Sequence, residues 1–339
     1  MQNDPAQRFQ SATEFRAALS RTAPAPRVTR QWLRGVAPVA VVAAGAVIAT
    51  APWRRAAAPA PGATVSPVVC WGSNEHGECA VPADLGEVQS VSAGDGFTVA
   101  VKADGTVTAW GRNDAGQTAV PPTLRGVRTV AAGSAHVVAL RDDGTVTTWG
   151  LDNYGQCKVP ENLGGVRAVA AGSAFSLALK SDGTVLGWGA NNIGQTSVPD
   201  DLRDATAIAA GDFHGLAVKR DGTVVTWGNP GFPNSTLPEA LSGVRSVTGA
   251  VYHSLALKND GTVVAWGADY AGLTNVPEGL NSVLAVAAGK THNLALRSDG
   301  TVVSWGSNTD GQVAVPAGLR NVTAIATGKR HSVAIRDRR

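Results

Sequence analysis

Ala207-Ile208-Ala209-Ala210-Gly211, His214-Gly215-Leu216-Ala217-Val218-Lys219, Asp221-Gly222 and Thr223-Val224-Val225-Thr226-Trp227-Gly228 follow one another along a single stretch of chain. Short apolar, β-prone runs separated by Gly and Asp-Gly read as three strands with two tight connections. Asp-Gly between such runs predicts a hairpin whose two central positions both take positive φ. Antiparallel pairing then puts the Gly-x-x-His turn and the loop after Trp-Gly at one end of the unit. The Asp-Gly turn falls at the other end.

The unit repeats. Trp-Gly recurs at Trp71, Trp110, Trp149, Trp188, Trp227, Trp266 and Trp305, always 39 residues apart. Asp-Gly-Thr-Val keeps the same step from Asp104 through Asp143, Asp182, Asp221 and Asp260 to Asp299, and Val-Pro or Leu-Pro does so from Pro82 to Pro316. An unbroken period of this length identifies a repeat architecture in which each unit needs its neighbours to bury a core. The chain enters this region with a lone third strand, Val68-Val69-Cys70-Trp71-Gly72, and leaves with two strands over 322–337 that lack a third. The ends therefore complete one shared blade, closing the ring and removing its open sheet edges. The expected fold is all-β, a seven-bladed β-propeller over residues 67–339. Abundant Gly (40 residues) and low charge (16%) fit many short strands joined by tight turns.

The net charge of +3 hides an asymmetry. Residues 1–62 carry eight Arg against Asp4 and Glu14, which leaves the remainder at −3. A nucleic-acid binder needs a clustered basic face, and no repeat carries one, so nucleic acid is not expected as a partner. Of the three cysteines, Cys79 and Cys157 occupy the same column two blades apart and are not expected to meet; a Cys70–Cys79 bridge and the redox compartment stay open.

The first 66 residues differ in kind. Asp4-Pro5-Ala6-Gln7-Arg8-Phe9 through Glu14-Phe15-Arg16-Ala17-Ala18-Leu19 place Phe9, Phe15 and Leu19 on one helical face. This stretch resembles the last helix of bacterial serine/threonine protein kinases, with Arg8 at that family's late structural arginine. The resemblance implies that residues 1–20 are a kinase-like tail and that a catalytic domain lies upstream or has been lost. The Gly-rich loop, strand lysine, H-R-D and D-F-G needed for phosphoryl transfer do not occur in this sequence, so no kinase activity is expected of it. Residues 21–34 form a linker. The uncharged run Val36 to Ala51 marks 35–53 as a candidate transmembrane helix at the short end of the spanning length, with a cleaved signal sequence and a buried apolar helix as rival readings. Arg27, Arg30 and Arg34 before it outnumber Arg54 and Arg55 after it, which favours a propeller outside the cytoplasm. A Pro/Ala linker over 54–66 completes the tether.

Chemistry was sought in the columns. His136, His214, His253, His292 and His331 stand in register, but equivalent positions on different blades lie a blade width apart, whereas a metal needs its nitrogens within about 2.1 Å. Phe97 and Phe175 occupy the same column, so it reads as a packed turn position. The Trp column reads as packing between blades and the Asp column as turn chemistry. No catalytic, cofactor-binding or metal residues are assigned.

W-G-x-N-x-x-G-Q, then V-P, then A-A-G-x-x-H-S-L-A-L-K-x-D-G-T-V resembles the regulator of chromosome condensation repeat family of seven-bladed propellers over about four-fifths of the chain. Repeat length and the Val-Pro signature are similar to a bacterial branch that includes the propeller-type β-lactamase inhibitor protein. In the eukaryotic member the resemblance would imply nucleotide exchange on a small GTPase through a blade insertion, which has no counterpart here. In the inhibitor it would imply aromatics at the position before the His column, which reads Gly96, Ala135, Ala174, Phe213, Tyr252, Thr291 and Arg330.

Function is expected where blades disagree, since loop tips are free to vary while the fold dictates the rest. On the face of the Gly-x-x-His turns the large side chains are Tyr154, Ile193, Phe213, Phe232, Tyr252 and Tyr270, contributed by neighbouring blades. Asn229-Pro230-Gly231-Phe232-Pro233-Asn234 replaces the usual N-x-x-G-Q loop, and Gly249-Ala250 inverts the usual Ala-Gly. Clustered aromatics on exposed loops are typical interface anchors. The expected function is a monomeric, non-catalytic recognition module for a protein or small ligand, the sensor part of a receptor-kinase-type chain. A free inhibitor or scaffold is the alternative.

Overall fold

The computed structural model describes residues 42–43, 46–48 and 67–337. Seven antiparallel sheets follow one another around a ring. Blade 1 is Val88–Ala93, Phe97–Lys102 and Val107–Gly111; blade 2 is Val127–Ala132, His136–Arg141 and Val146–Gly150; blade 3 is Val166–Ala171, Phe175–Lys180 and Val185–Gly189. Blade 4 is Ala205–Ala210, Gly215–Lys219 and Val224–Trp227; blade 5 is Val244–Gly249, His253–Lys258 and Val263–Gly267; blade 6 is Val283–Ala288, His292–Arg297 and Val302–Gly306. Blade 7 joins both ends of the propeller: Val322–Thr327 and His331–Arg336 are completed by Val68–Gly72, with Ser332 opposite Trp71 and Val333 opposite Cys70.

The core lies between blades. Inner and middle strands are buried almost throughout, as in Phe97–Lys102, while outer strands bury chiefly their Trp. A typical interface brings Phe97, Val99 and Val101 of blade 1 against Val127, Val130 and Val137 of blade 2. Small residues set the spacing at the axis: a Cβ on Gly133 would collide with the His136 ring and with Gly172 O of the next blade.

The Asp-Gly hairpins use a different turn from the one the dipeptide predicts. Only the glycine takes positive φ, for example Gly105 at 76°, and Asp104 does not. Gly105 N–H donates to Lys102 O and Lys102 N–H to Thr106 O, a tight turn followed by a glycine bulge. The reason is local. The Asp104 carboxylate accepts from both the amide and the hydroxyl of Thr106, at 2.9 and 2.6 Å, and the third residue of Asp-Gly-Thr thereby stabilises a three-residue connection. The same pair recurs at Asp143, Asp182, Asp221, Asp260 and Asp299.

The kinase-like tail over 1–20 and the linkers over 21–34 and 54–66 lie outside the described residues. Of the candidate membrane helix over 35–53, only Val42–Ala43 and Ala46–Ile48 are described, and these are strands. Ala46–Ile48 pairs antiparallel with Ala324 to Ala326 on the innermost edge of blade 7, and Val42–Ala43 pairs back onto it. An unpaired inner edge offers free N–H and C=O groups, and an Ala/Val/Ile run can satisfy them as a strand as readily as it could form a helix. Among the described residues no helix is long and apolar enough to cross a membrane.

An aromatic arc on the turn face

Each blade is pinned to the one before it through a conserved-in-register backbone carbonyl. The Trp Nε1–H donates to the residue 32 positions earlier: Trp110 to Glu78 O, Trp149 to Gln117 O, Trp188 to Gln156 O, Trp227 to Gln195 O, Trp266 to Asn234 O and Trp305 to Leu273 O. Trp71 closes the set on Gln312 O, 241 positions later in sequence and adjacent in the ring. The loop carrying that carbonyl is shaped by the side chain at the same position. Gln156 Oε1 accepts the amide of Tyr154, and Gln195 Oε1 that of Ile193, so the residues expected to face a ligand are held by their own loop.

The histidine column forms a second set of links. The Nε2 of His136 meets Ser176 Oγ at 3.1 Å, His214 meets Ser254 at 2.8 Å, His253 meets Asn293 Oδ1 at 2.6 Å, His292 meets Ser332 at 2.9 Å and His331 meets Thr98 at 3.1 Å. Each partner lies on the following blade, one residue past the column. Where the column holds Phe97 or Phe175, that partner position is Val137 or Gly215, so ring and partner change character together. Burial pushes these imidazoles well below their ordinary 6.5, to about 4 for His136, His214, His253 and His331 and about 3 for His292.

The face carrying the Gly-x-x-His turns is chemically lopsided. Around the axial mouth the residue after the Gly column, or after Ala250 in blade 5, reads Asp95, Ser134, Ser173, Asp212, Val251, Lys290 and Lys329. On the side of blades 7 and 1 the charges neutralise one another: Lys329 pairs with Asp95 at 2.6 Å, Arg112 reaches Asp95 and Asp114, and Arg330 pairs with Glu75 and Asp310. On the side of blades 2 to 5 the large side chains are apolar or aromatic.

The structure divides those side chains into groups. Tyr154, Ile193 and Phe213 line one cleft of about 210 Å3 between blades 3 and 4, together with Ser173, Asn192 and Asp212. Tyr154 is 62% and Phe213 39% exposed, while Ile193 is half-buried. Tyr252 and Tyr270 meet edge to face, ring centres 4.7 Å apart, with Tyr270 at 58% exposure. Phe232, 48% exposed, stands on the replaced loop and is not among the residues that line the cleft. That loop nevertheless keeps the scaffold: Asn234 is buried, its Nδ2 lies 3.2 Å from His214 Nδ1, and its carbonyl receives Trp266. The inverted Gly249-Ala250 also has a steric cause, since a Cβ at 249 would fall 2.8 Å from Gly211 N of blade 4.

Asp212 escapes a reading of motifs, because it sits in a turn column that varies freely. Aligning that column alone would have exposed it as an acid without a cation on either side. Burial raises its carboxyl above the usual carboxylate value, the cations Lys329 and Lys290 across the mouth work against that rise, and Asp95 adds to it. The Cys70–Cys79 bridge, left open by the sequence, is present, with Cα atoms 5.1 Å apart. Cys157 is a free thiol that burial pushes up to about 11, so it stays protonated at neutral pH.

Residues 88–117, 127–156, 166–195, 205–232 and 283–312 match the Regulator of chromosome condensation (RCC1) repeat. The replaced loop beyond 232 and the inverted pair at 249–250 fall outside those matches. Among solved structures, the chain is similar to Prp20p from Saccharomyces cerevisiae, described with its binding to Gsp1p and histones, at 20% identity over 79% of this chain and 90% of that one, TM-score 0.68. It is similar to human WBSCR16 at 21% identity over 80% and 99%, TM-score 0.65. It is also similar to the CRINKLY WD40 ectodomain of the Arabidopsis thaliana receptor kinase ACR4, at 26% identity over 72% and 88%, TM-score 0.59. No curated protein matches the sequence.

Proposed function

We infer that this propeller, five of whose blades match the RCC1 repeat, is a non-catalytic recognition module that binds a protein partner through the aromatic arc of blades 2 to 5. The observation that carries this reading is the division of the turn face: charged side chains that satisfy one another on one side, exposed aromatics on the other. Exposed Tyr and Phe give large contact area at little conformational cost and concentrate at interface hot spots. Prp20p is described as binding Gsp1p and histones, and the ACR4 relative is a receptor ectodomain; both support recognition as the use of this fold.

The setting of the module follows from other features. A disulfide supports a site of action outside the cytoplasm, where such bridges persist. The likeness of residues 4–19 to a kinase tail and of the ring to a receptor-kinase ectodomain supports a sensor attached to a kinase. The full chain, immobilised and exposed to secreted and envelope proteins, should retain a partner that the Phe213→Ala/Tyr252→Ala variant loses at unchanged melting temperature. Retention of the same partner by that variant would place the interface elsewhere.

A further inference from the structure

We propose that Asp212 is the acceptor for a basic side chain of the partner, Lys or Arg, whose neighbouring apolar group occupies the cleft of Tyr154, Ile193 and Phe213. This rests on the reading of the turn face as a protein-binding surface and adds the chemistry of what it binds.

Asp95 and Asp212 hold the same position in blades 1 and 4, yet they are treated differently. Asp95 has Lys329 at 2.6 Å and Arg112 at 3.7 Å. Asp212 stands between Ser173 and Val251 in its column, and among the described residues its carboxylate has no hydrogen-bond or ion-pair partner. It lines the cleft directly, together with Phe213 and Tyr154. A half-buried carboxylate without a direct ion-pair partner is destabilising where it stands, the cations Lys290 and Lys329 across the mouth offset only part of that cost, and an incoming cation would relieve the rest. The raised carboxyl pKa reports the same unmet need.

Size and surroundings narrow the occupant. The cleft, about 210 Å3, is smaller than the roughly 300 Å3 at which small-molecule sites begin, and it suits one or two side chains of a protein surface. Aromatic walls favour a guanidinium or ammonium over a neutral donor. Lys290 and Lys329 repel a cation from the axial mouth, which leaves the lateral cleft as its approach. The net −3 beyond residue 62 favours a basic partner at longer range.

Benzamidinium, an aromatic cation, and its neutral analogue benzamide test the assignment by calorimetric titration of the full chain. Benzamidinium is expected to bind about tenfold more tightly than benzamide, the worth of one charge-assisted contact. The preference should vanish in Asp212→Asn and in Asp212→Ser, a residue the same column already carries at Ser134 and Ser173, and persist in Asp95→Asn. Equal binding of the two probes, or a preference that survives both Asp212 variants, would overturn it. Should capture of a partner depend on Phe213 and Tyr252 while benzamidinium shows no preference, the protein-binding face stands and the assignment of a basic group falls. If the preference depends on Asp212 while capture ignores the aromatics, the basic site stands and the aromatic interface falls.

Discussion

His136, His214, His253, His292 and His331 each trade water for a hydroxyl or amide oxygen on the next blade, His214 with Asn234 Nδ2 as a second partner, and burial keeps them neutral. The unfolded chain takes up a proton on each near pH 6.5, whereas the folded ring resists protonation until about pH 4. Stability is therefore complete above pH 6.5 and falls as pH drops from there to about 4, by up to roughly 1.4 kcal/mol per pH unit for each histidine. Thermal melts between pH 7.5 and 4.5 should show Tm decreasing steeply below 6.5, and a flat profile would contradict buried neutral imidazoles. The exchange of character with the partner position gives a second expectation. His136→Phe alone sets a ring against the Ser176 hydroxyl, but His136→Phe with Ser176→Val reproduces the Phe97–Val137 pair. In urea unfolding the double variant should lose less than the sum of the singles, with a coupling of about 1 kcal/mol.

At the scale of the strand and the blade, the split seventh sheet is the element on which the ring depends. Removing residues 331–339 deletes the middle strand and leaves Val68–Gly72 and Val322–Thr327 without their common neighbour. Circular dichroism and gel filtration should show loss of the cooperative transition and aggregation through the exposed edges. This arrangement was legible in the sequence, because an unpaired third strand at one end and an unmatched pair at the other need only the 39-residue period to be seen. The strands themselves, the Trp-Gly and Asp-Gly columns and the shared blade are consequences of local chemistry repeated in register. What could not be read was whatever depends on a bond outside the strand pattern, within a turn or from the neighbouring blade. The turn at Asp104 looked like a two-residue hairpin until Thr106 was seen to bond it. Ser176 looked like a strand residue until the next-blade register brought it to His136. Five residues of the apolar run over 36–51 form strands because an open edge at blade 7 can pair with them.

For the whole ring, symmetry of fold and asymmetry of surface have separate origins. Seven equal blades would present seven equal faces, and any ligand site must come from residues that the scaffold leaves unspecified. Tyr154, Ile193 and Phe232 are such residues, held by loops whose Gln or Asn does the structural task, and Phe213 is another, on a Gly-x-x-His turn. The column containing Asp212 is equally free, which is why the set of six candidates missed it while three of the six, Tyr154, Ile193 and Phe213, surround it. The clasp has one more consequence, a mechanical one. Tension applied to the chain just before residue 67, past the pairing of Ala46–Ile48 with blade 7, is delivered first to Val68–Gly72, the outer strand of that blade, and would tend to peel it from His331–Arg336. The Cys70–Cys79 bridge lies within that strand's path, fastening its midpoint to the loop that leads into blade 1. A pulling force on that strand thus meets a covalent stop at its midpoint before it can open the circle.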